Sequence, residues 1–237
     1  MTGRIGLVLS CEHASWALPP DVDLGVSRDV LLSQASWDHG AHDIGNALSE
    51  ALGIHLHAGL FSRMFVDLNR GPDHCDVVPR ISYGAPVPGN HALTDAERAE
   101  RIAMFHTPYW QTVRRDVEAR LHDHGRVLHF SSHTFSPELD PANRTFEVGV
   151  LYDVTHPFEA QLAERLMFQL RGAGIDVRAN QPYAGVGAAI CTEFRKALGA
   201  PYAGIQLETS HAVTEQPGGC ARVAAAILPF LESLARG

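Results

Sequence analysis

Between residues 6 and 13 the chain changes from oily to polar within one position. Leu7, Val8 and Leu9 form a short apolar run without a polar interruption, the pattern of a strand buried on both faces. The run then stops at Ser10-Cys11-Glu12-His13. In an open α/β sheet, ligands bind just beyond the carboxyl ends of the strands. His13 is therefore placed to reach into a cleft.

The rest of the chain alternates strand and helix patterns. Pro19-Pro20 marks a loop after the first strand. Ile44, Ala47, Leu48, Ala51 and Leu52 recur at helical spacing from Asp43, and Gly53 ends the run. Residues 54–58 read as a second strand, and Met64-Phe65-Val66 as a third apolar segment ending in polar residues. Residues 71–90, rich in proline, glycine and histidine, read as a long loop, which inside a compact domain is usually functional or disordered. Thr94 and Glu97 have the spacing of a capping box that opens a helix. That helix is expected to be interrupted at Pro108, and a second helical piece to run to about His122 before Gly125.

Residues 126–132 and 148–152 read as buried strands, followed by a helix over 157–170 and a short strand over 177–179. A loop around 182–187, a helix over 188–198, a last strand over 203–208 and an alanine-rich helix over 219–235 complete the series. Strands alternating with helices imply an α/β sheet, largely parallel and covered on both faces. Three strand ends carry chemically useful residues: His13, His133 and Glu208.

With 237 residues, 45% of them hydrophobic, the chain can bury a full core, and the absence of a repeat or linker implies one domain over 1–237. The net charge of -8 argues against nucleic acid and anionic membranes as partners. Lys196 is the only lysine, so the positive charge is nearly all arginine, the side chain that holds carboxylates through two parallel hydrogen bonds. Cys11, Cys75, Cys191 and Cys220 are scattered without a C-x-x-C pair. No apolar run approaches the roughly 18 residues of a membrane span, and residues 1–4 lead directly into the first strand. The expectation is a reduced, cytoplasmic protein acting on a small molecule.

A hydrolytic zinc site takes three ligands of His and Asp/Glu type and keeps a fourth position for water. His13 and His133 supply two, each just after a buried strand. Asp43, at the start of a helix, is the best placed of several carboxylates for the third, although such a residue is also favoured there by the helix dipole. His39 and His42 stand beside it as further candidates. Bound zinc lowers the pKa of its water to around 7, and Glu208 is positioned to collect the proton and pass it to a leaving nitrogen.

Six segments, in order, resemble the N-formylglutamate amidohydrolase family. They are C-E-H-A-S (11–15), H-G-A-H-D-I-G (39–45), S-R-M-F-V-D-L-N-R (62–70), V-L-H-F-S-S-H-T-F-S-P (127–137), R-T-F-E-V-G-V-L-Y-D (144–153) and Y-A-G-I-Q-L-E (202–208). The resemblance implies a fold like that of zinc carboxypeptidases: a three-layer αβα arrangement with a mixed, mostly parallel sheet and one catalytic zinc. It implies His13, Asp43 and His133 as metal ligands and Glu208 as general base and acid. Arg63, Asn69 and Arg70 match a block that binds the substrate carboxylate or the developing oxyanion, and Arg144 falls at a further arginine position facing the cleft. Glu12 and Cys11 are read as structural residues behind the first ligand.

The chain departs from the family pattern at Thr134 and Ser136, which exchange hydroxyl residues. It also lacks an aspartate-glycine pair in the loop 182–192, and it carries Thr209-Ser210-His211 where relatives have an amide. The expected activity is metal-dependent cleavage of an N-acyl acidic amino acid, N-formylglutamate first. Another N-acyl amino acid or a peptide-like amide is the alternative substrate, and a silent binding relative the alternative class. Iron, cobalt or manganese could replace zinc with such ligands.

Overall fold

The computed structural model describes residues 3–237. Its strands are β1 (Gly6–Cys11), β2 (Leu56–Ala58), β3 (Ile81–Ser82), β4 (Ala85–Pro86), β5 (Val127–Phe135), β6 (Val148–Leu151), β7 (Val177–Ala179) and β8 (Tyr202–Ser210). Six of them form one sheet in the order β2-β1-β5-β8-β6-β7, and β3 and β4 form a small separate hairpin. β2, β1, β5 and β8 run parallel. β6 is antiparallel to β8 and parallel to β7, so the two strands at one end of the sheet run the other way. The expected mixed, mostly parallel sheet is therefore present.

Period-two alternation distributes the strand residues between the two faces. Leu7 and Leu9 of β1, Leu128 and Phe130 of β5, and Ile205 and Leu207 of β8 pack against the helices Ala41–Leu52, Pro157–Gly172 and Gly219–Arg236. Val8, Val127 and Tyr202 face the other way, against Val113 and Val117 of helix Thr107–His124 and Phe194 of helix Ile190–Leu198. Full burial of each such Val, Leu or Ile stabilises the fold by about 1.5–3 kcal/mol. The helix ends follow the sequence signals. Gly53 closes its helix with φ +64°, and the Thr94–Glu97 capping box is formed on both sides.

Two expectations are corrected. Met64-Phe65-Val66 is not a strand but a chain of turns: Phe65 N–H donates to Ser62 O, and Asn90 Nδ2 and Arg101 Nη1 donate to the carbonyls of Met64 and Phe65. Its side chains fill a lateral core with Leu24, Val77 and Val87. An apolar triplet signals burial, and here the burial lies outside the sheet. Pro108 does not divide the helical stretch either. A π-helical turn, Ile102–His106, precedes it, and Pro108 then occupies the first turn of Thr107–His124, where a missing N–H costs little.

Candidate active site

The carboxyl ends of β1, β5 and β8 deliver their polar residues to one place. Register pairs Ser131 with Gln206 and His133 with Glu208, so all four side chains lie on the same face of the sheet. On the far side of β8, Gly149 is the register partner of Glu208; a Cβ there would meet Gln181 O at 1.8 Å, so the loop after β7 can close over the carboxyl. The resulting cleft is about 250 Å³, and its walls include His13, Asp38, Arg63, Asn69, Arg70, Tyr83, His133, Tyr183 and Glu208.

Of the expected set, the structure brings His13 and His133 together but not Asp43. Asp43 stands exposed on the first turn of helix Ala41–Leu52, the position the helix dipole favours. Asp38, in the turn before that helix, lies between the two imidazoles instead, with Oδ2 3.3 Å from His13 Nδ1 and 2.8 Å from His133 Nδ1. The segment around it is laid across the strand ends by three bonds. Gln34 Nε2 donates to Thr134 O, Asp38 N–H to His13 O, and Arg63 N–H to Ser36 O. His13, Asp38 and His133 are buried and present their ligand atoms within 4.8 Å of one another. His39 is engaged elsewhere, its Nε2 2.6 Å from Leu32 O.

Each imidazole is backed by a second carboxylate. His13 Nε2 lies 2.7 Å from Asp67 Oδ1, and His133 Nε2 lies 3.0 Å from Glu12 Oε2. Ser131 Oγ and Tyr109 OH donate to the same Glu12 carboxylate. Burial alone would raise the pKa of Glu12 and of Asp67, but their contacts with His133 and His13 hold both well below the usual carboxylate range. Burial, helped by the Arg63 cation, lowers His13 to about 3, so its imidazole is neutral near pH 7. With its Nε2 hydrogen given to Asp67, the neutral His13 turns its Nδ1 lone pair toward Asp38 Oδ2, which His133 Nδ1 also faces. Acceptor then faces acceptor, an arrangement a cation between them relieves, and histidine ligands are commonly oriented in this way. The donor set fits a divalent metal.

The remaining expected residues divide. Glu208 lines the cleft with Oε2 buried and without a partner among the described residues. Burial raises it to about 7, against the pull of His133, Arg63 and Arg144. Arg63 Nη2 is bonded to Asp38 Oδ1 and Nη1 donates to Tyr83 OH, while Nε has no partner among the described residues. Asn69 and Arg70 are on the wall. Asn69 Nδ2 is 3.5 Å from His133 Nε2, and Arg70 Nη1 donates to Ala188 O and forms no ion pair within 4.0 Å among the described residues. Arg144 is not on the wall. It stands behind Tyr183, donating to Ser136 O (3.0 Å) and to Tyr183 OH (3.4 Å).

Sequence reasoning passed over Asp38, Asp67, Tyr83 and Tyr183, and read Glu12 as a support beside the first histidine or a structural residue, whereas it backs His133. Asp38 and Asp67 lie in or beside the segments that carry the family resemblance, so position relative to those segments was the available signal. Nothing in the local pattern marks the tyrosines.

Parallel strand ends thus bring two imidazoles, an aspartate and a glutamate to one cleft, and the sequence family that the chain matches places it among hydrolases acting on amides. The chain belongs to the N-formylglutamate amidohydrolase family, whose sequence model matches residues 5–214. A gene product of Agrobacterium tumefaciens has a similar structure, with a TM-score of 0.85 and 29% identity over 98% of this chain and 91% of that one. The N-formylglutamate amidohydrolase of Ralstonia eutropha shares the fold, with a TM-score of 0.77 and 20% identity over 99% of this chain and 96% of that one. No protein of curated function matches the chain.

Proposed function

We propose that the chain is one catalytic domain that removes a small acyl group, formyl first, from an acidic amino acid such as glutamate, with zinc as cofactor. The observation that carries this reading is the pair of imidazoles whose Nδ1 atoms converge on Asp38 while their Nε2 atoms are tied to Asp67 and Glu12. His13, Asp38 and His133 would hold the ion. When bound, zinc supplies a Lewis acid and a water of lowered pKa.

The chain's own groups do the remaining work. Glu208, with an unpartnered oxygen and a pKa raised to about 7 by burial, accepts a proton from the attacking water and returns it to the leaving nitrogen. The unpartnered Nε of Arg63 is a donor for the developing oxyanion. Arg70, with Asn69 beside it, holds the carboxylate next to the scissile amide. Arg144 orders the wall through Tyr183 rather than touching substrate. The four cysteines are free, and no described helix is long and apolar enough to cross a membrane. A cytoplasmic location belongs to the same proposal.

The test is formate release from N-formylglutamate by the purified protein, together with its metal content. Zinc at one equivalent and turnover are expected in the parent. Glu208→Gln is expected to keep the metal and lose turnover by at least about 10²-fold, and His133→Ala to lose both. Full activity in the Glu208 variant, or in metal-free protein, refutes the reading.

A further inference from the structure

The turn between β3 and β4 is a strained place for a tyrosine. Tyr83 and Gly84 join the strands with φ of +48° and +82°, a two-residue turn that Asn, Asp or Gly adopts at least cost. Packing does not account for the aromatic ring, which is 44% exposed. What the residue contributes is its hydroxyl. The Arg63 guanidinium lies 5.2 Å from the ring centroid, and Arg63 Nη1 donates to Tyr83 OH at 3.3 Å. Across the cleft the arrangement is repeated: the Arg144 guanidinium lies 5.1 Å from the Tyr183 ring centroid, and Arg144 Nη1 donates to Tyr183 OH at 3.4 Å. The two hydroxyl oxygens are 3.3 Å apart.

Counting hydrogens shows what this pair lacks. Each hydroxyl already accepts from a guanidinium, so each has its own proton to give. The contact between the hydroxyls uses one proton and leaves the other without an acceptor among the described residues. Burial and the neighbouring Tyr83 and Glu208 push the Tyr183 phenol well above its ordinary range, so it remains a donor near neutral pH. An anion with two acceptor oxygens that replaces the contact between the hydroxyls takes a proton from each, with a cation behind each ring. Arg70 and Asn69 line the wall near His133, whereas the tyrosine hydroxyls meet between the exposed β3–β4 turn, which carries Tyr83, and the loop after β7, which carries Tyr183. The subsite is therefore suited to the carboxylate farther from the scissile amide.

We propose that Tyr83 and Tyr183 are specificity-determining residues whose hydroxyls together bind the side-chain carboxylate of an N-acyl dicarboxylic amino acid. This rests on the amidohydrolase reading above.

The test measures binding by calorimetry on the zinc-loaded Glu208→Gln protein, with N-formylglutamate and N-formylglutamine as ligands and with Tyr83→Phe, Tyr183→Phe, the double variant and Tyr83→Asn added in turn. The acid is expected to bind more tightly than the amide. Each Phe substitution is expected to reduce that ratio by about tenfold, the loss of one hydrogen bond to a charged group, and the double variant to abolish it. Tyr83→Asn is expected to lose the ratio as Tyr83→Phe does while melting at the same or a higher temperature, because asparagine relieves the turn. An unchanged ratio in the double variant, equal binding of acid and amide in the parent, or a lowered melting temperature in Tyr83→Asn with the ratio retained would overturn the proposal. Hydroxyl-dependent preference for the acid without formate release by the Glu208-containing enzyme would uphold the subsite and reject the amidohydrolase reading.

Discussion

The decisive residue is Asp38, and it earns its place by where its oxygen sits rather than by its neighbours in sequence. Asp38 and Asp43 are five positions apart and chemically identical, yet one is buried between two imidazoles and the other is solvated on a helix turn. Asp38→Asn is expected to weaken zinc binding by more than about 100-fold, a larger loss than the 10–100-fold expected for Glu12→Gln or Asp67→Asn, which release the orientation of one imidazole each. Asp43→Asn should leave zinc affinity within about twofold, since Asp43 is exposed on its helix turn, where its helix-dipole contribution is small, and is not among the residues gathered with His13 and His133. Competition against a chromogenic chelator measures all four. Strong binding in the Asp38 variant with loss in the Asp43 variant would reverse the assignment.

At the level of elements, the cleft depends on a buried ion pair outside it. Glu159 of helix Pro157–Gly172 and Arg195 of helix Ile190–Leu198 meet through both carboxylate oxygens. Glu159 also accepts from the backbone of Asp153 and Gly204, and Arg195 donates to Gly185 O in the loop that carries Tyr183. One pair thus joins two helices, β8 and a cleft wall. Arg195→Met leaves a carboxylate buried without its cation and is expected to destabilise the fold by about 3–5 kcal/mol. Urea unfolding reads this directly, and a loss below about 1 kcal/mol would show that the pair is replaceable. The helices themselves were legible from their period, caps and glycine stops. The ion pair was not, because its members are 36 positions apart and each looks like an ordinary charged helix residue.

For the whole molecule, the buried polar layer on one face of the sheet sets an acid limit. His129, in β5, is enclosed with Nε2 2.7 Å from Ser10 Oγ and Nδ1 2.8 Å from Tyr202 OH. Burial lowers it from 6.5 to about 4, with Glu12 opposing. Above the ordinary value both folded and unfolded chains carry a neutral imidazole. As pH falls from about 6.5 to 4 the unfolded chain takes up a proton that the folded chain refuses, so stability declines across that window and levels off below it. The full contribution is about 3 kcal/mol. His129→Gln should flatten that part of the profile when unfolding free energy is measured from pH 7 to pH 4, and an unaltered slope would assign the acid sensitivity to other groups.

Residue order alone determined the sequence of strands and helices, the burial of β1, β5 and β8, and the delivery of His13, His133 and Glu208 to one edge. Those properties follow from periodicity and from abrupt changes of polarity, which act over a few neighbouring residues. Only the tertiary structure decided which aspartate stands between the imidazoles, that residues 64–66 turn rather than pair, that Arg144 stands behind Tyr183, and that a tyrosine from each wall meets over the cleft. These depend on distances between segments far apart in the chain, where a shift of a few ångströms separates a ligand from a solvated carboxylate and no local pattern records the difference.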